Sequence, residues 1–393
     1  MMSYHFQGSQ LRIFKKYARQ DRNKAYLKNT RFIIIEHLLP TTEEMVRCLM
    51  ESEAEIFALL AKPYSIDSEV LMRLQGDGIK VIQKSYQYLE ESDYLKYLIL
   101  EAIDKSKADK KNVVLIDVGG YFSRPLKEIS DKDKKYISGV VEDTTFGHNR
   151  YQMSVKHISV PVFSVARSGL KEIEARFVGR DAVSAIEYIL RKKGISLAGR
   201  NALVIGYGMI GENVARALRG GDLNVSVYDK HDHKNLSAFI DGYAIHKKRE
   251  LIKNADIIFS ATGDPSGSMT YEEIEECKNN VILASVGSKD TEFDIKEVKA
   301  HCIEEKDVGE ELKGYVLPNS KRVLVAKQGA AVNFILPSMP VEILDLVFSE
   351  ILICIMLILT SKTKGKYPPG IIHELHLNYL NEISKDWLRL VNL

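Results

Sequence analysis

The stretch "NALVIGYGMIGENVARAL", residues 201–218, constrains the fold of this chain more than any other. Its apolar start reads as a buried strand, its middle as a tight glycine turn, and its end as an amphipathic helix. Gly206, Gly208 and Gly211 form a G-x-G-x-x-G string in that strand–turn–helix, with Met209 and Ile210 ahead of the last glycine. The first glycine permits a sharp turn, the second lets a pyrophosphate approach the backbone, and the third lets helix and strand pack closely. The helix N-terminus adds unpaired N–H groups and the positive end of its dipole. The following strand, "NVSVYD", ends in Asp229, 18 residues past Gly211. A carboxylate there accepts from the hydroxyls of an adenosine ribose and repels a 2′-phosphate. The expected cofactor is therefore NAD rather than NADP, a preference that Lys230 and His231 soften. "DIIFSATG", "NVILASVG" and "RVLVAKQG" repeat a short apolar strand ending in a small residue and glycine. Thr262 and Gly263, at the end of the first, join the candidate cofactor residues.

The first third of the chain has the same grammar. "RFIIIEHLL" reads as a buried strand and "TTEEMVRCLMES" as a capped helix with Glu43 in its first turn. "AEIFALLA" is a strand or a short helix, "SIDSEVLMRLQGDG" a helix stopped by glycines, and "NVVLIDVGG" a strand ending in a glycine turn. Such alternation predicts a doubly wound parallel sheet. At 393 residues the chain exceeds one ordinary core. The expected organisation is α/β, with two doubly wound parallel-sheet domains. A substrate-type domain spans 1–166, a hinge 167–180 and an inserted Rossmann NAD-binding domain 181–333. A return helix covers 334–362, and 363–393 form a tail with one amphipathic helix around "IIHELHLNYLNEISKDWLRL".

Several function classes are disfavoured. Fifty-five Lys+Arg against 53 Asp+Glu, with no basic block, gives nucleic-acid binding no support. Four cysteines with no CxxC pair argue against zinc or a disulfide framework, so no metal is expected and a reducing cytoplasm is. The N-terminus lacks an apolar core of signal-peptide length. The apolar run from Ile351 ends at Leu359, too short for a membrane span, and acids lie upstream at helical spacing, which suits a buried helix.

A polar loop, "GVVEDTTFGHNRYQ" at 139–152, has no helical or strand periodicity, and its acids and threonines suit a hydroxylated ligand. With this loop and the glycine turn together, the chain resembles the S-adenosylhomocysteine hydrolase (adenosylhomocysteinase) family from about Phe32 to about Gly370. The family's EETTTG loop is matched by Glu142-Asp143-Thr144-Thr145-Phe146-Gly147, and its His-Asn…Tyr run by His148, Asn149 and Tyr151. "LAGRNALVIGYGMIGENVARALRG" is similar to the family's signature around its glycine turn. "DGYAI", "SVGSKDTEFDI", "GAAVNF" and "KYPPG" follow in the family's order.

The resemblance implies NAD chemistry on a nucleoside. The 3′-hydroxyl is oxidised, the 5′ substituent is eliminated, water adds, and the ketone is reduced again. It implies that Lys171 is the base at the 3′-hydroxyl and that Asp143 holds the ribose in place of a longer Glu. It puts Thr41 and Glu43 at the adenine base, and Thr144, Thr145 and Asn333 at the nicotinamide and its ribose. Asp117 and Glu142 join the substrate side. Other positions depart from the pattern. The family's LHMT histidine is Leu39, its second DDGGD acid is Val118, and the Asp and Asn after the lysine are Ala175 and Arg176. The NIGH histidine is Ser288, "LPSMP" lacks a histidine, and the C-terminal Lys and Tyr have no counterpart in "WLRLVNL". His148, His157 and Arg167 are the conceivable stand-ins.

These losses favour a divergent NAD-dependent enzyme that oxidises a secondary hydroxyl of a nucleoside or related sugar. The competing expectations are a catalytically silent homologue acting through a protein partner, and unaltered S-adenosylhomocysteine hydrolysis. A homo-oligomer, dimer or tetramer, is expected, with no nucleic-acid or membrane partner.

Overall fold

The computed structural model describes residues 10–287, 291–336, 339–361 and 365–390. The chain divides into two compact units, one formed by residues up to Lys171 with those from Pro340 on, the other by Glu172–Met339. Residues 169–180 of the segment expected as a hinge belong to one continuous helix, Gly169–Arg191.

In the first unit the strands are β1 (Thr30–Leu38), β2 (Glu55–Ile66), β3 (Val81–Gln83), β4 (Asn112–Asp117), β5 (Ile137–Glu142) and β6 (Val162–Ser164). "AEIFALLA" is thus strand. The order is β6-β5-β4-β1-β2-β3, all parallel, with a seventh strand, Ile372–His373, outside β6. Helices cover both faces of such a sheet, so β1 and β4 are uninterrupted apolar runs with Phe32–Ile35 and Val113–Ile116 fully buried. The chain winds outward in opposite directions from β1 and β4. Between their carboxyl ends lies the switch point where open α/β sheets take their ligands.

Two local expectations need correction. The helix after β1, Pro40–Glu51, has no side-chain cap: Leu39 holds the N-cap position in extended backbone and Pro40 opens the helix. Proline suits a first position whose N–H has no helical partner. The tail is not one helix from Ile371. Gly370 adopts φ +89, Ile372–His373 pair with β6, and the helix runs only over Leu377–Leu390.

The helix Val341–Ser361 is long and apolar enough to cross a membrane, yet 78% of its most apolar window is buried inside the protein. Asp345, on this helix, accepts the backbone N–H groups of Ile13 at 2.8 Å and Phe14 at 2.9 Å, capping the helix Arg12–Ala18. Burial pushes its carboxyl up to about 6.

The second unit is built on β7 (Asn201–Ile205), β8 (Asn224–Tyr228), β9 (Ala244–Ile245), β10 (Ile257–Ser260), β11 (Val281–Ser285), β12 (Glu304–Gly309), β13 (Leu312–Val316) and β14 (Arg322–Ala326). Their order is β12-β13-β14-β11-β10-β7-β8-β9. All neighbours are parallel except the edge hairpin β12–β13 and its junction with β14. Here the switch point falls between β7 and β10.

Candidate functional site

At the switch point of the second unit, Gly206 turns with φ +92, where a Cβ would stand 2.7 Å from Ala261 O. A Cβ on Gly211 would stand 1.8 Å from Gly206 O, which fixes the close packing of helix Met209–Gly220 on β7. Gly208 differs: its Cβ would meet nothing within 4 Å. The turn is therefore closed against the protein at two glycines and open at the third, the arrangement a pyrophosphate needs. Met209 and Ile210 open the helix. Asp229 accepts from Tyr207 N at 2.7 Å and His231 N at 2.9 Å, one on each oxygen, and each oxygen retains a lone pair for a ribose hydroxyl. Lys230 pairs with Asp264 at 2.6 Å.

Glu292 was missed by sequence reasoning. It is 2% exposed and accepts from Thr262 N, Gly263 N, Thr262 Oγ1 and Ser260 Oγ, all within 3.0 Å. It thereby pins the loop after β10, and burial raises its proton affinity.

In the first unit two fully buried acids do similar work. Asp117 ends β4 and accepts from Tyr121 N, Phe122 N and Tyr151 Oη. Glu142 ends β5 and accepts from Gly119 N, Gly120 N, Thr144 N and Thr144 Oγ1. A Cβ on Gly147 would stand 2.1 Å from the Glu142 carboxyl carbon, so only glycine lets the loop wrap that acid. Burial first, then each other's charge for Glu142, raises these carboxyls, against the donors that lower them.

A second set of acids in the same unit is less fully hydrogen-bonded. Lys171 Nζ donates to Asp143 Oδ2 at 2.9 Å, both side chains nearly buried. Asp143 Oδ1 is buried with no hydrogen-bond partner, and so is Glu36 Oε2. Glu36, near the end of β1, uses Oε1 to accept His37 N at 2.8 Å. Burial first, then the charge of Asp143, pushes its carboxyl up to about 8, against the pull of Lys171 and Lys62. Lys62 is buried on β2, with Nζ donating to Val118 O at 3.2 Å and lying over the Tyr86 and Tyr121 rings. Neither Glu36 nor Lys62 was singled out from sequence. An acid breaking an apolar run at a parallel strand's carboxyl end was the available signal for Glu36.

The family model described as "S-adenosyl-L-homocysteine hydrolase, NAD binding domain" matches residues 177–337. An S-inosyl-L-homocysteine hydrolase from Methanopyrus kandleri is 30% identical over 317 residues, covering 80% of this chain and 72% of the relative. An adenosylhomocysteinase from Thermoplasma volcanium is 31% identical, covering 76% and 75%. The chain belongs to the adenosylhomocysteinase family. Its NAD-binding domain is inserted within the remainder of an α/β chain that carries a second parallel sheet.

The structure places the remaining candidates of this adenosylhomocysteinase homologue as follows. Glu43 already carries two arginines, Arg73 at 2.8 Å and Arg47 at 2.9 Å, and Arg73 above all holds its carboxyl below the usual range. Thr41 is buried in the first turn of the same helix. Thr144 caps the helix Thr145–Ser154 by accepting Gly147 N, while donating to Glu142. Asn333 lies in a half-buried turn, Val332–Phe334. His148 is buried against Ser164 at 3.0 Å, and burial, then the Arg167 charge, pushes its imidazole down to about 4. It is neutral at physiological pH. Arg167 donates to Asn149 at 3.2 Å. His37 meets Ser65. Ser288, residues 337–338 of "LPSMP" and 391–393 of "WLRLVNL" lie outside the described residues.

Proposed function

We propose that this family member is an NAD-dependent enzyme that oxidises a secondary hydroxyl of a nucleoside or related sugar, without the elimination and hydration half of the family reaction. The observation that carries the reading is the Lys171–Asp143 pair, which leaves Asp143 Oδ1 buried and unpartnered. A sugar hydroxyl donating to Oδ1 restores the missing hydrogen bond and lies beside the Lys171 amine. Lys171, once in its neutral amine form, is the proton acceptor for that hydroxyl. Asp143 orients both. Asp117 and Glu142, with their oxygens already engaged, hold the loops that carry this pair. Glu43 with its arginines, and Thr41, face the base.

The open face at Gly208 fits a dinucleotide pyrophosphate, and Asp229 fits the adenosine ribose. Thr262, Gly263, Met209, Ile210 and Asn333 complete the cofactor residues, with Thr144 and Thr145 on the ribose side. When bound, NAD supplies the hydride acceptor. Support for a shortened reaction comes from Leu39, Val118 and Ala175, apolar side chains where the resemblance calls for an acid or base; Val118 and Ala175 are buried. A missing acid or base of this kind costs roughly 10²–10⁴ in rate. A cytoplasmic homo-oligomer remains part of the reading.

The test mixes the NAD-loaded protein with adenosine, inosine and their homocysteine conjugates. Bound NADH forming without homocysteine release is expected. Rapid homocysteine release sinks the shortened reaction in favour of the ordinary hydrolase. A flat absorbance across the panel favours the silent-homologue reading, which draws support from the Lys171 ammonium being tied to Asp143.

A further inference from the structure

Two kinds of buried acid meet at the switch point of the first unit. Asp117 and Glu142 are satisfied, with three and four donors respectively. A structural acid in a protein interior is expected to be engaged in this way, because an unmet polar atom keeps its full desolvation cost. Glu36 is not engaged so. It is 4% exposed, spends one oxygen on its neighbour's N–H, and leaves Oε2 without a partner. Asp143 Oδ1 shares that condition. The charged groups bearing on Glu36 come from three other segments: Asp143 after β5, Lys171 on helix Gly169–Arg191 and Lys62 on β2. On its own strand the neighbour is His37, whose ring is held by Ser65. Two unmet carboxylate oxygens among two lysines form an arrangement that two hydroxyls would complete.

We propose that Glu36 is a second proton-handling residue of this site, its Oε2 taking a hydroxyl of the bound sugar next to the one held by Asp143 Oδ1. This rests on the nucleoside reading above. The ligand class is a sugar with adjacent hydroxyls. In the free protein Glu36 holds a proton up to a pH of about 8. A hydroxyl that donates to Oε2 stabilises the carboxylate and drives that proton off. The emptied Oε2 then keeps that hydroxyl's hydrogen bond, while Lys171 takes the proton of the neighbouring hydroxyl that is oxidised. The O–H bond that breaks at Glu36 is the carboxyl's own, and its proton leaves to solvent. Glu36 thus supplies a proton site that Leu39 and Val118 cannot.

The test uses the full chain with its bound dinucleotide, as wild type, Glu36→Gln and Asp143→Asn. Adenosine binding is followed by calorimetry in phosphate and in Tris across pH, so that differing buffer ionisation heats report protons released. Wild type is expected to release protons below about pH 8 and none above about pH 9. Glu36→Gln is expected to bind within about tenfold of wild type with that release abolished, since one charge-assisted hydrogen bond becomes neutral. Equal proton release in Glu36→Gln overturns the inference while leaving the nucleoside reading intact. A ligand-independent arm follows the protonated-carboxyl infrared band with pH. A wild-type band titrating near pH 8 and missing from Glu36→Gln supports the proposal; its absence from wild type overturns it whatever adenosine does. A titrating band without adenosine binding overturns the nucleoside reading and, with it, the assignment of Glu36 to a ligand hydroxyl.

Discussion

Both sheets end in a loop pinned by a buried glutamate, and what surrounds each pin differs. Around Glu292 the candidate ligand face is backbone: a glycine turn, an open Gly208 and a helix N-terminus. Around Glu142 it is charge: Lys171, Asp143, Glu36 and Lys62. A backbone site depends on a few glycines and tolerates drift elsewhere. In a low-dielectric charge site one substitution resets the proton affinity of every neighbour. A lineage can therefore keep its cofactor unit recognisable while rewriting the chemistry of the other.

Six substitutions press on that contrast. The largest effect is expected from Gly211→Ala, whose Cβ has no room beside Gly206 O. Loss of retained dinucleotide by about 100-fold or more should accompany a lowered melting temperature. Gly208→Ala, with nothing within 4 Å, should keep its melting temperature and lose dinucleotide only. Equal melting losses in both variants would make the turn a packing device, and the backbone-site account would fail.

Lys171→Ala comes next. Removing one member of a nearly buried pair leaves Asp143 without its ion-pair partner, a loss of about 3–5 kcal/mol in denaturant melts. NADH formation on adenosine should fall by about 10²-fold or more. A variant as stable as wild type would mean that solvent already screens the pair.

Glu36→Gln should act in the opposite direction and only with pH. The folded carboxyl is raised to about 8 from its ordinary 4.5, so between those values the folded state binds more protons than the unfolded. Stability must then fall as pH rises through that window. The glutamine variant should match wild type near the lower end and exceed it by on the order of 1–3 kcal/mol above the upper end. A pH-independent difference would refute the raised carboxyl.

The smallest effects separate the two pins. Glu142→Gln keeps one oxygen for Gly119 N and Thr144 N and sets its amide donor against Gly120 N, a backbone group that cannot turn to accept, at a cost of about 2–3 kcal/mol. In Glu292→Gln two of the four partners are hydroxyls, from Ser260 and Thr262, which can rotate to accept. About 1–2 kcal/mol is expected there by urea titration.

Legibility in the sequence follows the same division. The second unit was readable because its chemistry is glycine spacing after a strand, and spacing is local. The β-branched runs of β1 and β4 were equally plain. Glu36 was not, because its meaning depends on Asp143, Lys171 and Lys62 arriving from three other segments. Glu292 sits in "SKDTEFDI", which reads as solvated loop, and its partners at Thr262 and Gly263 lie about thirty residues upstream. Glu43 looked available until Arg73, 30 residues on, was seen to hold it. The strand Ile372–His373 has two residues and no periodicity to detect.

One contact described above sets an order in time. Asp345 closes the N-terminal helix at Ile13 and Phe14 across 332 and 331 residues. As the ribosome delivers the chain, those two amides wait through the synthesis of the whole inserted unit, whose own segment is contiguous. The unit begun earlier is thus closed later, and a nascent chain stopped short of Pro340 carries a complete second unit and an unclosed first one, with the apolar side chains of Ile13 and Phe14 a ready substrate for chaperones.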